Sequence, residues 1–227
     1  MAELKGNVLG KVTGTIGNLV GRVRSGKNYL ASRPGSFMPG DDADSVARRE
    51  RFKLSVQFAK SLIILDDLKS VWDNNAPSGI SAYNFIVQSN YKYFENDLPS
   101  SSNIIVPPNG FNISTNQFQI SQTALHVELL PLGDSAPFDP AVEKNLRLYS
   151  LFSLYDPLNP DLDAYGFIPL FSAKQSFQIS SNLTFDISIP SYNQSLVAKY
   201  QNKKVFIAFL TLDENDKPVR YSITLSE

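Results

Sequence analysis

Eight of the chain's twelve glycines fall within its first forty residues, as Gly6, Gly10, Gly14, Gly17, Gly21, Gly26, Gly35 and Gly40. The same stretch carries Lys5, Lys11, Arg22, Arg24, Lys27 and Arg33 against Glu3 alone, a net charge of +5. Glycine buries no side chain and loses more backbone entropy on ordering than any other residue. A segment built this way cannot supply a core for itself, so it is either loose or clamped by a partner. Within it, Leu19 to Arg24 and Lys27 to Arg33 flank Ser25-Gly26, two β-compatible runs across a glycine turn, which predicts a hairpin.

The remainder has a different character. From Asp44, with Asp44 or Ser45 as cap, Phe52, Val56, Ala59, Leu62 and Ile63 recur at helical spacing. Arg48, Arg49, Arg51 and Lys53 occupy much of the other face, and the pattern continues through Leu65, Leu68 and Trp72 to Pro77. A second helix is expected from Ser81 towards Phe94. Beyond Leu98 the period becomes two, with strands expected at 103–106, 117–121, 125–130, 147–155, 166–171, 176–179, 184–189, 205–212 and 219–225. About nine short strands between turn clusters read as an antiparallel sandwich of immunoglobulin-like size. The expected fold is therefore α+β in three parts: an arm with hairpin over 1–42, a two-helix section over 43–98 and a β-sandwich over 99–227.

Charge divides the chain as well. The net charge of −1 conceals +6 over residues 1–60 (11 basic, 5 acidic) and −7 over the rest (10 basic, 17 acidic). Such a dipole favours head-to-tail contact between copies, or an arm lying on an acidic surface, whether nucleic acid or protein. There is no cysteine, which removes disulfides and thiolate metal sites. The N-terminus lacks the apolar stretch of a signal peptide, and no run approaches the roughly 18 apolar residues of a membrane span. The chain reads as soluble and unexported, with no membrane partner and a virion or cytoplasmic setting. Sequons at Asn112, Asn182 and Asn193 then read as chance matches.

No catalytic constellation emerges. Gly21 to Lys27 matches a phosphate-binding loop up to its lysine, but Asn28 stands where the magnesium-binding hydroxyl belongs and the following residues look extended. His126, the only histidine, shares the exposed face of a strand with Glu128 and reads as solvated. Asp156, Asn159, Asp161 and Asp163 crowd a loop, but Leu170 stands where a calcium loop needs its bidentate glutamate. No metal or other cofactor is implied. The basic arm remains, and Gly10, Lys11, Gly14, Gly17, Gly21, Arg22, Arg24, Lys27 and Arg33 are the candidate partner-binding residues.

The string from Gly10 through Gly14 and Gly17 to Val20, then Gly26 to Tyr29, Ser32-Arg33-Pro34 and Arg51-Phe52, resembles an uncharacterised family of Bacteroidota bacteria and their phages. The likeness continues at Ser81 to Phe85 and at the final hairpin around Phe209 to Ser222, whereas the loop from Leu154 to Pro160 departs from it. The resemblance implies an arm, a helical section and a β-domain without a known mechanism. The expectation is a non-enzymatic structural protein of a repetitive assembly such as a phage particle, a capsid auxiliary or head-surface component. Its partners would be copies of itself and other subunits, so it would form a homo-oligomer. The alternative is a nucleic-acid-binding protein of no sequence preference, using the basic N-terminal region.

Overall fold

In a computed structural model, the described residues are 2–3, 12–24, 26–33, 35, 38–95, 98–133 and 135–227. Among them the fold is mixed α+β and mostly β, with four α-helices and several antiparallel sheets. By compactness the chain divides into Met1–Val46 and Ala47–Glu227.

The first unit holds β1 (Ala2–Glu3), β2 (Gly14–Ile16), β3 (Leu19–Arg24) and β4 (Lys27–Ser32), in the sheet order β1-β4-β3-β2. The expected hairpin is β3 with β4, in register from Leu19↔Ser32 to Arg24↔Lys27. Gly26 turns it at φ +75°, a conformation that costs glycine no steric clash. Gly10 and Lys11 lie outside the described residues.

Helix α1 (Ala43–Ile63) begins with the Ser45 amide donating to Asp42 Oδ1 at 2.9 Å, so Asp42 takes the capping place expected of Asp44 or Ser45. The expected continuous helix through Trp72 is two: the backbone turns extended at Leu65, and α2 (Asp66–Asn75) starts afresh with two carboxylates in its first turn. The buried stripe of α1 is Leu54, Ser55, Phe58, Ala59, Ser61 and Leu62, while Phe52 is 56% exposed. Helix α3 (Ala82–Asn90) is capped by Ser81 as expected, its oxygen accepting from the Asn84 amide at 3.4 Å.

The strands of the second unit are β5 (Phe94–Glu95) paired with β6 (Leu98–Pro99), then β7 (Thr115–Ile120), β8 (Ala124–Leu129), β9 (Asn145–Pro157), β10 (Tyr165–Phe171), β11 (Gln175–Ser176), β12 (Leu183–Ser188), β13 (Tyr200–Leu212), β14 (Pro218–Tyr221) and β15 (Leu225–Ser226). A short helix that the pattern did not suggest, α4 (Ser191–Val197), precedes β13. The larger sheet runs β10-β9-β13-β14, with β11 on β9 and β15 on β13, and the smaller runs β12-β8-β7.

Side-chain alternation along β9 and β13 builds two cores at once. Tyr149, Leu151, Phe206, Ala208, Leu210 and Leu212 join Leu54, Phe58, Leu62 and Trp72 of the helices. On the opposite face Leu146, Leu148, Phe152, Leu154, Val205, Ile207 and Phe209 meet Leu125, Val127, Phe185 and Ile187 of the smaller sheet. The result is three layers, helices over the larger sheet over the smaller one. The sections read from the sequence as 43–98 and 99–227 thus share a core. The segment 103–106, expected as a strand, is irregular: Ile105 and Val106 are buried in the helical core, and Trp72 Nε1 donates to Ile105 O at 2.9 Å. Burial against the helices, not pairing with a strand, satisfies it.

Candidate partner-binding face of the N-terminal sheet

The alternation of the four-stranded sheet sorts its residues by chemistry. Arg22 lies opposite Tyr29, Lys27 opposite Arg24 and Val20 opposite Ala31 in register, which sets Val20, Arg22, Lys27, Tyr29 and Ala31 on one face. Arg22 and Lys27 are exposed and Tyr29 is half-buried. The other face carries Leu19, Gly21, Val23, Asn28 and Leu30, with Ile16 of β2 opposite Leu19. Ile16 is 75% exposed and Leu19 46%. Arg22 and Lys27 mark one side of the hairpin, and the other side is mostly apolar around the buried Asn28.

Of the residues expected to bind a partner, Gly14 is in β2, Gly17 in the β2–β3 turn and Gly21 within β3. Gly21 is held close: a Cβ there would stand 2.7 Å from Val12 Cγ1 and 3.0 Å from Val12 O. The Val12 amide in turn donates to the buried Asn28 side chain at 3.2 Å. Arg33, just past β4, donates its amide to Asn18 O. Arg22, Arg24, Lys27 and Arg33 are thus gathered on or beside one hairpin; Gly17 turns β2 into β3 at φ +56°, Gly21 packs closely, and Gly14 has open space around it. Among the described residues of this unit no apolar side chain is buried, and the described buried apolar residues begin at Leu54.

The phosphate-loop match proves to be the β3–β4 hairpin, extended where a nucleotide site needs a helix N-terminus. His126 sits on the polar face of the smaller sheet with its Nδ1 2.7 Å from Asp186 Oδ1, a cross-strand partner sixty residues away. Beside it Glu128 accepts from Asn116 at 2.7 Å and Asn182 at 2.8 Å, which holds its carboxyl below the usual range. Among the described residues no group of three or more His, Asp or Glu is placed to hold a metal ion. No helix among them is long and apolar enough to cross a membrane.

Two polar clusters escaped sequence reasoning because their members are distant in the chain. Arg147 Nη1 donates to Asp67 Oδ2 at 3.1 Å, and the Tyr149 hydroxyl donates to the same oxygen. The Arg147 guanidinium also lies 5.4 Å from the centre of the Phe171 ring. Next to this group, Ile64, Leu65, Asp66, Asp67, Tyr149 and Phe171 enclose a cleft of about 270 Å³. In the second cluster Arg220 Nε donates to Glu143 Oε1 at 3.0 Å and Nη2 to Pro137 O at 2.8 Å, the Glu143 side chain being fully buried. Asp66-Asp67 at a helix start is the only local signal either cluster offered.

Compared with known proteins, the chain matches no protein-family model and no curated protein.

Proposed function

We propose that the chain is a non-enzymatic structural subunit anchored in a repetitive assembly through its N-terminal region. What supports this most is the four-stranded sheet of residues 2–33, in which no described apolar side chain is buried. Strand pairing over an apolar face that Val12 covers only in part gives little net stability in water, so such a sheet is expected to find its cover in a neighbour. The next segment points the same way: between residues 43 and 53 no apolar side chain is buried, and Val46 and Phe52 are exposed. A virion of a phage, with the chain as a capsid auxiliary or head-surface protein, is the setting that the family resemblance of the first sixty residues suggests. There the two facing sheets of the second unit, taken as an immunoglobulin-like sandwich, would be the displayed body.

Light scattering after size exclusion tests the proposal. The full chain is expected to form oligomers, while a chain lacking residues 1–40 stays monomeric and still melts cooperatively, since both cores lie beyond residue 53. A monomeric full chain, or a truncated chain that assembles normally, would overturn it. A second reading, binding of nucleic acid without sequence preference, draws on one observation: Arg22, Lys27 and Tyr29 share a face, charge for phosphates beside one ring for stacking.

A further inference from the structure

We infer that the basic face of the β3–β4 hairpin docks into the Ile64–Phe171 cleft of a second copy of this chain. The inference rests on the assembly reading above and names the surface that would receive the arm.

The cleft joins exposed apolar side chains with carboxylates. Ile64 is 70% exposed and Phe171 52%, two large apolar side chains facing solvent at one place. Asp66 and Asp67 stand beside them. In the first turn of α2 the two carboxylates also offset the helix's free amides, which accounts for their charge. Arg147, on Asp67 and 5.4 Å from the Phe171 ring, meets part of this group, whereas Ile64 and Asp66 stay exposed. Asp67 is already positioned: both hydrogen bonds from Arg147 and Tyr149 go to Oδ2, and among the described residues Oδ1 receives none. Apolar walls with carboxylates at the rim suit a long cationic side chain, whose aliphatic stem covers the walls while its charged end meets the acid.

This chain carries such a side chain exposed on the hairpin, Arg22. Charge selects the same pairing, because residues 1–60 sum to +6 and residues 61–227 to −7. A nucleic acid could meet the hairpin but not the cleft, whose Asp66 and Asp67 repel phosphate, whereas a second copy of this chain satisfies both surfaces. The contact uses different patches on the two partners. It is therefore head-to-tail and propagates into a ring or a filament, as a repetitive assembly requires.

The absence of cysteine permits a direct test. Arg22→Cys chains are mixed with Ile64→Cys chains under mild oxidation, and Arg22→Cys with Thr184→Cys serves as control, Thr184 being exposed on the smaller sheet. The mixed disulfide is expected at least about tenfold above control. In parallel, association is measured by sedimentation for Arg22→Glu, Asp66→Arg and the two combined, each site being exposed so that folding is retained. Each single reversal is expected to weaken association about tenfold, and the pair to restore it to within about threefold. Oligomers that form without the mixed disulfide, and that ignore both reversals, overturn this inference and leave the assembly reading standing. A wild-type chain that stays monomeric in the same runs overturns the assembly reading itself.

Discussion

Asn90 is where single-residue chemistry matters most to the fold. Fully buried at the end of α3, it donates from Nδ2 to Ile86 O at 3.1 Å and Ile104 O at 3.0 Å, and its Oδ1 accepts from the Ile104 amide at 2.8 Å and Asn103 Nδ2 at 3.1 Å. Asn90→Leu keeps the volume but strands several polar groups away from water, each at about 1–3 kcal/mol. A loss of about 3 kcal/mol in urea denaturation is expected, and a loss under 1 kcal/mol would show that water replaces the amide. Tyr149 governs the alkaline side. Burial, with the bond to Asp67, pushes its phenol well above the ordinary 10.0. The folded chain then keeps the proton that the unfolded chain releases above pH 10. This stabilisation is complete below pH 10 and declines as pH rises beyond it, by up to about 1.4 kcal/mol per pH unit. Tyr149→Phe is expected to flatten that decline, leaving the smaller contributions of Tyr200 and Tyr221, whose phenols are also raised. An unchanged slope in denaturation between pH 9 and 11 would contradict it.

At the scale of elements, the hairpin decides what the glycine-lysine motif can do. A phosphate loop works by aiming helix-start amides at the anion, and from Lys27 onward β4 instead runs as a strand paired with β3. Titration calorimetry with ATP and magnesium is therefore expected to give no heat of binding. Saturable micromolar binding lost in Lys27→Ala would mean that the segment refolds around nucleotide. The helices tell a related story of context: the periodicity of residues 52–72 is real, but which side of α1 is buried follows from what lies beneath it. Phe58 meets Phe94, Phe167 and Phe206 edge to face at 5.6–5.9 Å, and Phe52, six residues earlier, has no such surface to meet.

For the molecule as a whole, the charge split sets up a choice between protein and nucleic acid that salt resolves. A phosphate-binding arm loses affinity with a slope near −0.9 in log salt per phosphate contacted, so four contacts give about −3.6. Contacts that combine charge with Ile64 and Phe171 retain their apolar part at high salt. Filter binding to duplex DNA is expected to be weak, with self-association surviving moderate salt. Tight DNA binding with a steep slope, lost in the triple change of Arg22, Arg24 and Lys27 to Ala while self-association persists, would favour the nucleic-acid reading.

The sequence by itself determined the hairpin that turns at Gly26, the cap at Ser81, most of the β-strands and the gathering of basic residues near the N-terminus. Each depends on neighbours within a few positions, where turn chemistry, capping and period act. Only the tertiary structure decided that β9 and β13 are buried on both faces, which turns the helices and the smaller sheet into two covers of one sheet. It alone moved 103–106 from a strand into the helical core and broke the first helix at Leu65. It also placed Arg147 and Tyr149 on Asp67 across some eighty residues. Such pairings depend on which surfaces meet after folding, and a local pattern in one chain carries no record of that.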